Sequence, residues 1–346
     1  EMLTVAIFGV LTALLLPLLT PIVSTLVTLA ITAAALAVNY YMWQVELHVL
    51  PLALTLYTLF AIYTINMLFG YLFETRSRQH MDGLFGQYVP PDLVKEMSRD
   101  PENYSLASQK RELSVLFTDI RSFTTISEGL EADELSTLMD EYLTPMTQIV
   151  HETHGTIDKY IGDAVMAFWG APVYHPHHAD QAVGGGMAML RALDTLNEDF
   201  AKKGWPHIRI GVGVNTGVMS VGNMGSAFRR AYTVLGDAVN LGSRLEGITK
   251  AYGVDFIVSE ATAKAAGRYA YRELDRVRVK GKEKPVTILE PVGLIEELTE
   301  KQKDMIDSFD RFLFLYRSQK WDSAQADLEK MRREQGDCLL FDLYDE

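Results

Sequence analysis

Two aspartates in contrasting frames carry the most chemistry in this chain: Asp119, in Leu113-Ser-Val-Leu-Phe-Thr-Asp-Ile, and Asp163, in Ile157-Asp-Lys-Tyr-Ile-Gly-Asp-Ala-Val-Met-Ala-Phe. Each ends or interrupts an apolar, β-branched and aromatic run of the kind that forms a buried strand, which puts both carboxylates on rigid backbone at a sheet edge. A lone carboxylate there is costly. Two that converge can hold divalent cations, and paired metals stabilise attack and departure at phosphorus. Taken singly, each acid also has a local explanation, Asp119 as a cap for the following helix and Asp163 as a hairpin-turn residue.

Four further residues give that pair something to act on. Asn240 and Arg244 stand at i and i+4 on a helix opened by Gly236-Asp237, so both project from one face. A guanidinium grips phosphate oxygens in a bidentate way and stays charged, while an amide can orient a ribose. On its own such a pair is a solvated helix face. Lys159 precedes Asp163 on the inbound strand of the same hairpin, and Thr233 sits in Tyr232-Thr-Val-Leu-Gly-Asp. A lysine can donate to adenine N1 but has no acceptor for guanine N1–H, and a hydroxyl can accept from the adenine amino group. Lys280, in Val279-Lys-Gly-Lys-Glu-Lys, adds a cation suited to terminal phosphates, although this turn would be basic in many unrelated hairpins.

The elements that must position these residues follow from periodicity. Strand-like runs fall at 113–119, 156–161, 164–169, 208–214, 217–222, 231–235, 254–258, 272–279 and 286–292, and helical runs at 133–153, 178–202, 237–251 and 260–266. The order predicts an α+β sandwich with helices on one face of a mostly antiparallel sheet. The first strand and the hairpin are then neighbours, so Asp119 and Asp163 meet although they are 163 − 119 = 44 positions apart. Gly184-Gly-Gly186 lies inside a helical pattern with no strand before it, and reads as a weak point or a close helix contact rather than a phosphate loop. His175-Pro-His-His178 reads as a solvated lead into a helix, not a metal site.

With 346 residues, 48% of them hydrophobic, the chain has room for about two domains, and the apolar residues are unevenly spread. Met2 to Val45 holds no charged side chain, and from Leu47 to Phe73 the only side chain that can become charged near neutral pH is His48. One membrane-spanning helix needs roughly 20 apolar residues, so three spans are expected, near residues 2–19, 22–43 and 49–73. Arg76 and Arg78 flank the third, which puts the C-terminal part in the cytoplasm. The expected setting is a multi-pass protein of the inner (plasma) membrane, with an extracytoplasmic sensor domain ahead of residue 1. Residues 74–97 carry Met81, Leu84, Phe85 and Tyr88 at helical spacing, a stripe that can pair with its copy in a second chain or lie on its own domain. Residues 98–110 read as a linker. The organisation is thus 1–73 membrane region, 74–110 helical transducer and linker, 111–293 catalytic domain, and 294–346 a helical tail with Trp321, Ala324, Ala326 and Leu328 inward. The net charge of −13 and the lack of a basic aromatic cluster argue against nucleic acid, and the single Cys338 excludes an internal disulfide.

Four segments resemble the signature of the class III nucleotidyl cyclase domain: Phe117-Thr-Asp-Ile-Arg-Ser-Phe-Thr, Asp158-Lys-Tyr-Ile-Gly-Asp-Ala-Val-Met-Ala, Ile210-Gly-Val-Gly-Val-Asn-Thr-Gly and Leu235-Gly-Asp-Ala-Val-Asn-Leu-Gly-Ser-Arg-Leu-Glu. They occur in the family's order, and the apolar region ahead of them is similar to that of bacterial receptor-type adenylate cyclases with a CHASE2 sensor. The resemblance implies a ferredoxin-like domain in which Asp119 and Asp163, with the Ile120 carbonyl, ligate two Mg²⁺ or Mn²⁺ ions. It implies further that Lys159 and Thr233 read the purine, Asn240 orients the ribose, Arg244 stabilises the transition state and Lys280 binds terminal phosphates. Guanylate cyclases typically carry an acid at the lysine position, so Lys159 favours ATP. Thr233 departs from the aspartate of animal adenylate cyclases and resembles a bacterial variant. The family takes its metal acids from one domain and its purine and ribose contacts from another, which implies a homodimer with two composite sites. The expectation is a membrane-bound adenylate cyclase that converts ATP to 3′,5′-cyclic AMP and pyrophosphate in signal transduction. The alternatives are a guanylate cyclase and a non-catalytic nucleotide-binding receptor.

Overall fold

A computed structural model describes residues 10, 12–19, 21–46, 52–54, 56–68, 107–226, 228–278 and 285–345. The chain divides into two compact units, Glu1–Gly83 and Leu84–Glu346. In the first, helix α1 (Pro21–Glu46) begins with a proline, whose missing N–H costs nothing at that position. Thr28 and Thr32 return their hydroxyls to carbonyls one turn back at 2.8 Å, which satisfies these two donors on an apolar helix. Thr25 Oγ1 lies 3.0 Å from Tyr63 Oη and ties α1 to the helical residues 56–68. Within α1, Ile22–Val45 is long and apolar enough to cross a membrane by length and composition. Among the described residues it is the one helix that meets that criterion, against the three expected. The stretch Leu52–Leu68 is shorter, and residues 16–18 near the first expected span form a 3₁₀ turn. The transducer stripe from Met81 to Tyr88 lies outside the described residues.

The second unit begins with β1 (Gln109–Ile120), α2 (Phe123–Glu128), α3 (Ala132–Glu152), the hairpin β2 (Thr156–Ile161) and β3 (Ala164–Trp169), and α4 (His178–Lys202). It continues with β4 (Ile210–Gly225), β5 (Arg230–Leu235), α5 (Asp237–Tyr252), β6 (Phe256–Ser259), α6 (Glu260–Ala265), β7 (Tyr269–Val277) and β8 (Val286–Leu294). Three helices close it: α7 (Glu300–Arg317), α8 (Trp321–Gln335) and α9 (Leu339–Asp342). The strands form one sheet in the order β2-β3-β1-β4-β6-β8-β7, with β5 pairing β4 off this path. Every pairing is antiparallel except β4 with β6, so the sheet is mixed.

The two strands expected at 208–214 and 217–222 are one. Asn215 and Thr216 keep the ladder with Val115 and Ser114, and Asn215 Nδ2 also donates to the Ala238 carbonyl at 2.7 Å, so this polar pair does not turn the chain.

Helices cover both faces of the sheet rather than one. Residues 113–116 of β1 are buried without interruption, as a strand requires when neither face meets water. Leu116 and Ile120 pack with Leu138, Tyr142 and Met146 of α3 and Val183 of α4. On the opposite face Val115 and Phe117 meet α5 at Gly242. Close approach of α5 depends on Gly213, where a Cβ would lie 2.2 Å from the Glu246 backbone nitrogen and 2.6 Å from the Gly242 oxygen. The Gly184-Gly-Gly186 run proves to be a close contact. A Cβ on Gly186 would sit 2.5 Å from Phe256 Cζ, and one on Gly184 2.7 Å from the Tyr269 hydroxyl.

The tail belongs to the core of this unit. Phe309, Phe312 and Leu313 of α7, Ala324, Leu328 and Met331 of α8, and Leu340 and Phe341 of α9 pack with Leu241 and Leu245 of α5 and Ile288 of β8. Ala324 and Leu328 point inward as expected, a helical turn apart. Ala326 falls on the opposite face and is exposed, as is Trp321, whose ring sits edge-on to Tyr316 at 5.4 Å.

Candidate active site

The ladder between β1 and β3 pairs Thr118 with Val165, so the next residue of β1 reaches the hairpin turn that holds Asp163. The Ile120 N–H donates to Asp163 Oδ2 at 3.0 Å, and Asp119 interacts directly with the Asp163 carboxyl. The two acids therefore meet, as their frames predict. Burial, and then the charge of Asp163, push the Asp119 carboxyl up to about 6. Glu246 enters the same neighbourhood from α5. Burial first and Asp119 second push it up to about 7, against the opposing pull of Arg121. Sequence reasoning gave Glu246 no role, although Gly242 and Glu246 are one turn apart on the sheet-facing side of α5.

These residues fit a divalent cation. Two adjacent, partly buried carboxylates oppose each other's ionisation, and a cation between them removes that conflict. Among the described residues no group of three or more His, Cys, Asp or Glu side chains could hold a metal ion by itself. The remaining ligands would come from the Ile120 carbonyl, water or phosphate oxygens, the usual donor set where Mg²⁺ serves a nucleotide.

Lys159 on β2 and Thr233 on β5 also come together, through a residue the sequence reading passed over. Thr233 Oγ1 donates to Asp158 Oδ2 at 2.5 Å, the Val234 N–H donates to the same oxygen at 3.2 Å, and Lys159 Nζ lies 3.0 Å from Asp158 Oδ1. Asp158, Lys159 and Thr233 line a cleft of about 590 Å³ walled by Ile157, Met224, Ala231 and Leu235. The only local signal for Asp158 is an acid in a run that should be apolar.

Asn240 and Arg244 stand one turn apart on α5, beside Leu241 and Leu245, which are buried. Asn240 is exposed, and Nη1 of Arg244 is buried with no hydrogen-bond partner. No hydrogen bond or ion pair within the chain joins either residue to Asp119 or Asp163. Lys280 lies outside the described residues. Of the histidines, His175 and His177 are exposed as expected, but His178 is buried, its Nδ1 2.9 Å from Ser114 Oγ, which in turn meets Thr216 Oγ1 at 2.7 Å. The ladder carries Ser114 under the start of α4, a placement that the local run of histidines does not reveal.

Residues 106–289 match the adenylate and guanylate cyclase catalytic domain. The chain is 35% identical over 212 residues to Adenylate cyclase 1 of Rhizobium meliloti (strain 1021), covering 61% of this chain and 32% of that protein. It is 34% identical over 216 residues to the adenylate cyclase of Anabaena cylindrica, covering 60% and 42%. The matches thus span less than half the length of these relatives. Among solved structures, the adenylyl cyclase CyaB from P. aeruginosa superposes with a TM-score of 0.52 at 36% identity, covering 56% of this chain and 100% of that one. The guanylyl cyclase Cya2 gives a TM-score of 0.52 at 33% identity, covering 56% and 97%.

Proposed function

The chain belongs to the adenylate and guanylate cyclase catalytic domain family over residues 106–289, and from that premise we propose that it is an adenylate cyclase working as a homodimer with shared sites. The observation that carries this reading is the meeting of Asp119 with Asp163, locked by the Ile120 N–H and strained by like charge. These two acids and the Ile120 carbonyl would hold two Mg²⁺ or Mn²⁺ ions. When bound, the ions supply positive charge to the triphosphate and lower the pKa of the ribose 3′-hydroxyl. The 3′-oxygen forms a bond to the α-phosphorus as the bond to pyrophosphate breaks, giving 3′,5′-cyclic AMP.

The chain's own residues bind and orient. Lys159 donates to adenine N1, Thr233 accepts from the adenine amino group, and Asn240 fixes the ribose. Arg244 meets charge that grows on the phosphorane-like transition state, a role in keeping with its unpartnered buried Nη1. Lys280 would contact terminal phosphates. No hydrogen bond or ion pair joins Asn240 or Arg244 to the acids of their own chain, in keeping with a second copy, related by a two-fold axis, that supplies them and gives the dimer two equivalent sites.

Helix α1 supports attachment to the plasma membrane, and the basic residues Arg76 and Arg78 in the sequence favour a cytoplasmic catalytic unit. Spans at 2–19 and 49–73 would make the protein multi-pass, and a membrane-attached cyclase serves signal transduction. Likeness to the guanylyl cyclase Cya2 keeps GTP as the second candidate substrate. The test is to incubate the full chain with Mn²⁺ and either nucleotide and measure cyclic product. Cyclic AMP from ATP is expected. Cyclic GMP from GTP in excess makes it a guanylate cyclase, and nucleotide binding without product makes it a receptor.

A further inference from the structure

Asp158 is an acid whose side chain is fully buried between two strands, and the register explains how it gets there. The β2–β3 ladder pairs Ile157 with Ala167 and Lys159 with Met166, so Asp158 is the extra residue of a bulge, free of the ladder and re-aimed. It turns toward β5 and takes two hydrogen bonds on Oδ2, from the Thr233 hydroxyl and the Val234 N–H. On its other side Lys159 Nζ makes an ion pair with Oδ1 at 3.0 Å that is not aligned as a hydrogen bond, so the buried Oδ1 has no aligned donor.

These contacts decide what the cleft can recognise. A threonine hydroxyl has one proton and two lone pairs, and here the proton goes to Asp158. Thr233 therefore offers only lone pairs to a base. Those match the 6-amino group of adenine and oppose O6 of guanine, which is itself an acceptor. Lys159 has three donors and no acceptor. Asp158 anchors it beside Thr233 while its remaining hydrogens stay available to adenine N1, and it opposes guanine N1–H. With the hydroxyl left free to rotate, Thr233 could donate to O6 as readily as accept from an amino group.

We infer that Asp158 is the specificity-determining positioning residue of the purine cleft: it fixes Thr233 as an acceptor and Lys159 as a donor, and so selects a 6-aminopurine nucleotide over a 6-oxopurine one. It acts through these two neighbours and does not itself touch the base. The inference rests on the cyclase reading above.

The test measures kcat/KM for ATP and for GTP with Mn²⁺ on the full chain, for the wild type, Asp158→Asn and Asp158→Ala. Asparagine keeps a carbonyl oxygen for Thr233 and Val234 and loses the charge that faces Lys159, whereas alanine removes both. The ATP:GTP ratio should fall at least about tenfold in Asp158→Ala and by a smaller factor in Asp158→Asn. A purely structural role would lower both substrates together and leave the ratio unchanged, and Asp158→Asn, which keeps the buried hydrogen bonds, should melt with the wild type. An ATP-selective wild type whose ratio survives both substitutions overturns the inference and leaves the cyclase reading intact. A wild type that does not prefer ATP overturns the inference as well. A wild type that forms no cyclic product from either nucleotide overturns the cyclase reading and this inference with it.

Discussion

Two dead variants, mixed, should recover activity in a set proportion. Asp119→Ala removes one acid of the metal pair, and Arg244→Ala removes the guanidinium on α5. Neither change should harm the fold. Asp119 sits against the repulsion of Asp163, and Arg244 Nη1 has no partner to lose. If acids and guanidinium come from different chains, a site is intact only where an Arg244→Ala chain supplies the acids and an Asp119→Ala chain supplies the arginine. With a fraction f of Arg244→Ala chains pairing at random, the intact share is f(1 − f), which peaks at about one site in four for equal amounts. The background is far lower, since loss of one donor to transition-state charge costs about 10²–10³ in rate. Co-expression with distinguishable tags fixes f, and cyclic AMP formed per unit protein gives the share. A parabola centred on equal expression is expected. Mixtures that stay at the background at every ratio would refute the shared site, because acids and arginine would then have to serve the same chain.

Arg244→Ala assayed alone should lower kcat by about 10²–10³ with a small change in KM, since its charge is needed mostly in the transition state; steady-state kinetics with a larger effect on KM would contradict that role. Gly186→Ala should destabilise the catalytic unit despite a helix-propensity gain of about 1 kcal/mol, because its Cβ would press on the Phe256 ring at 2.5 Å and overpacking costs about 1–3 kcal/mol. Gly247→Ala on α5 meets nothing within 4 Å and should stabilise by up to about 1 kcal/mol; urea melts in which both variants shift the same way would undo the packing argument. Burial holds His178 below its ordinary pKa of 6.5. The unfolded chain therefore takes up a proton that the folded chain refuses, and stability falls as pH drops through and below about 6.5. The melting temperature should decline over that window, and the slope should shrink in His178→Asn; an unchanged slope would remove His178 from the account.

Asp119 and Asp163 were readable from the chain because each ends or interrupts an apolar run of the kind that forms a buried strand, and the first strand, joined through helices to a hairpin, becomes the hairpin's neighbour. Lys159 beside the same hairpin, and Asn240 with Arg244 one helical turn apart, follow from the same local periodicities. The sequence on its own thus determined most of the strands and helices of the catalytic unit, though not that 208–214 and 217–222 belong to one strand. It did not determine which side of the sheet each helix covers. That depended on Gly213 and Gly242, whose missing side chains let α5 lie on β1 and β4 and bring Glu246 toward the acids. Nor did it distinguish the inward residues of α8 from Trp321 and Ala326, since the surface they pack on is assembled from β8 and α5. Asp158 is the clearest case. In the linear chain it is one acid before a lysine, and only a one-residue bulge turns it from the ladder toward Thr233, 233 − 158 = 75 positions away. A bulge is decided by pairing between strands, so the partner of a side chain within it is a property of the folded sheet.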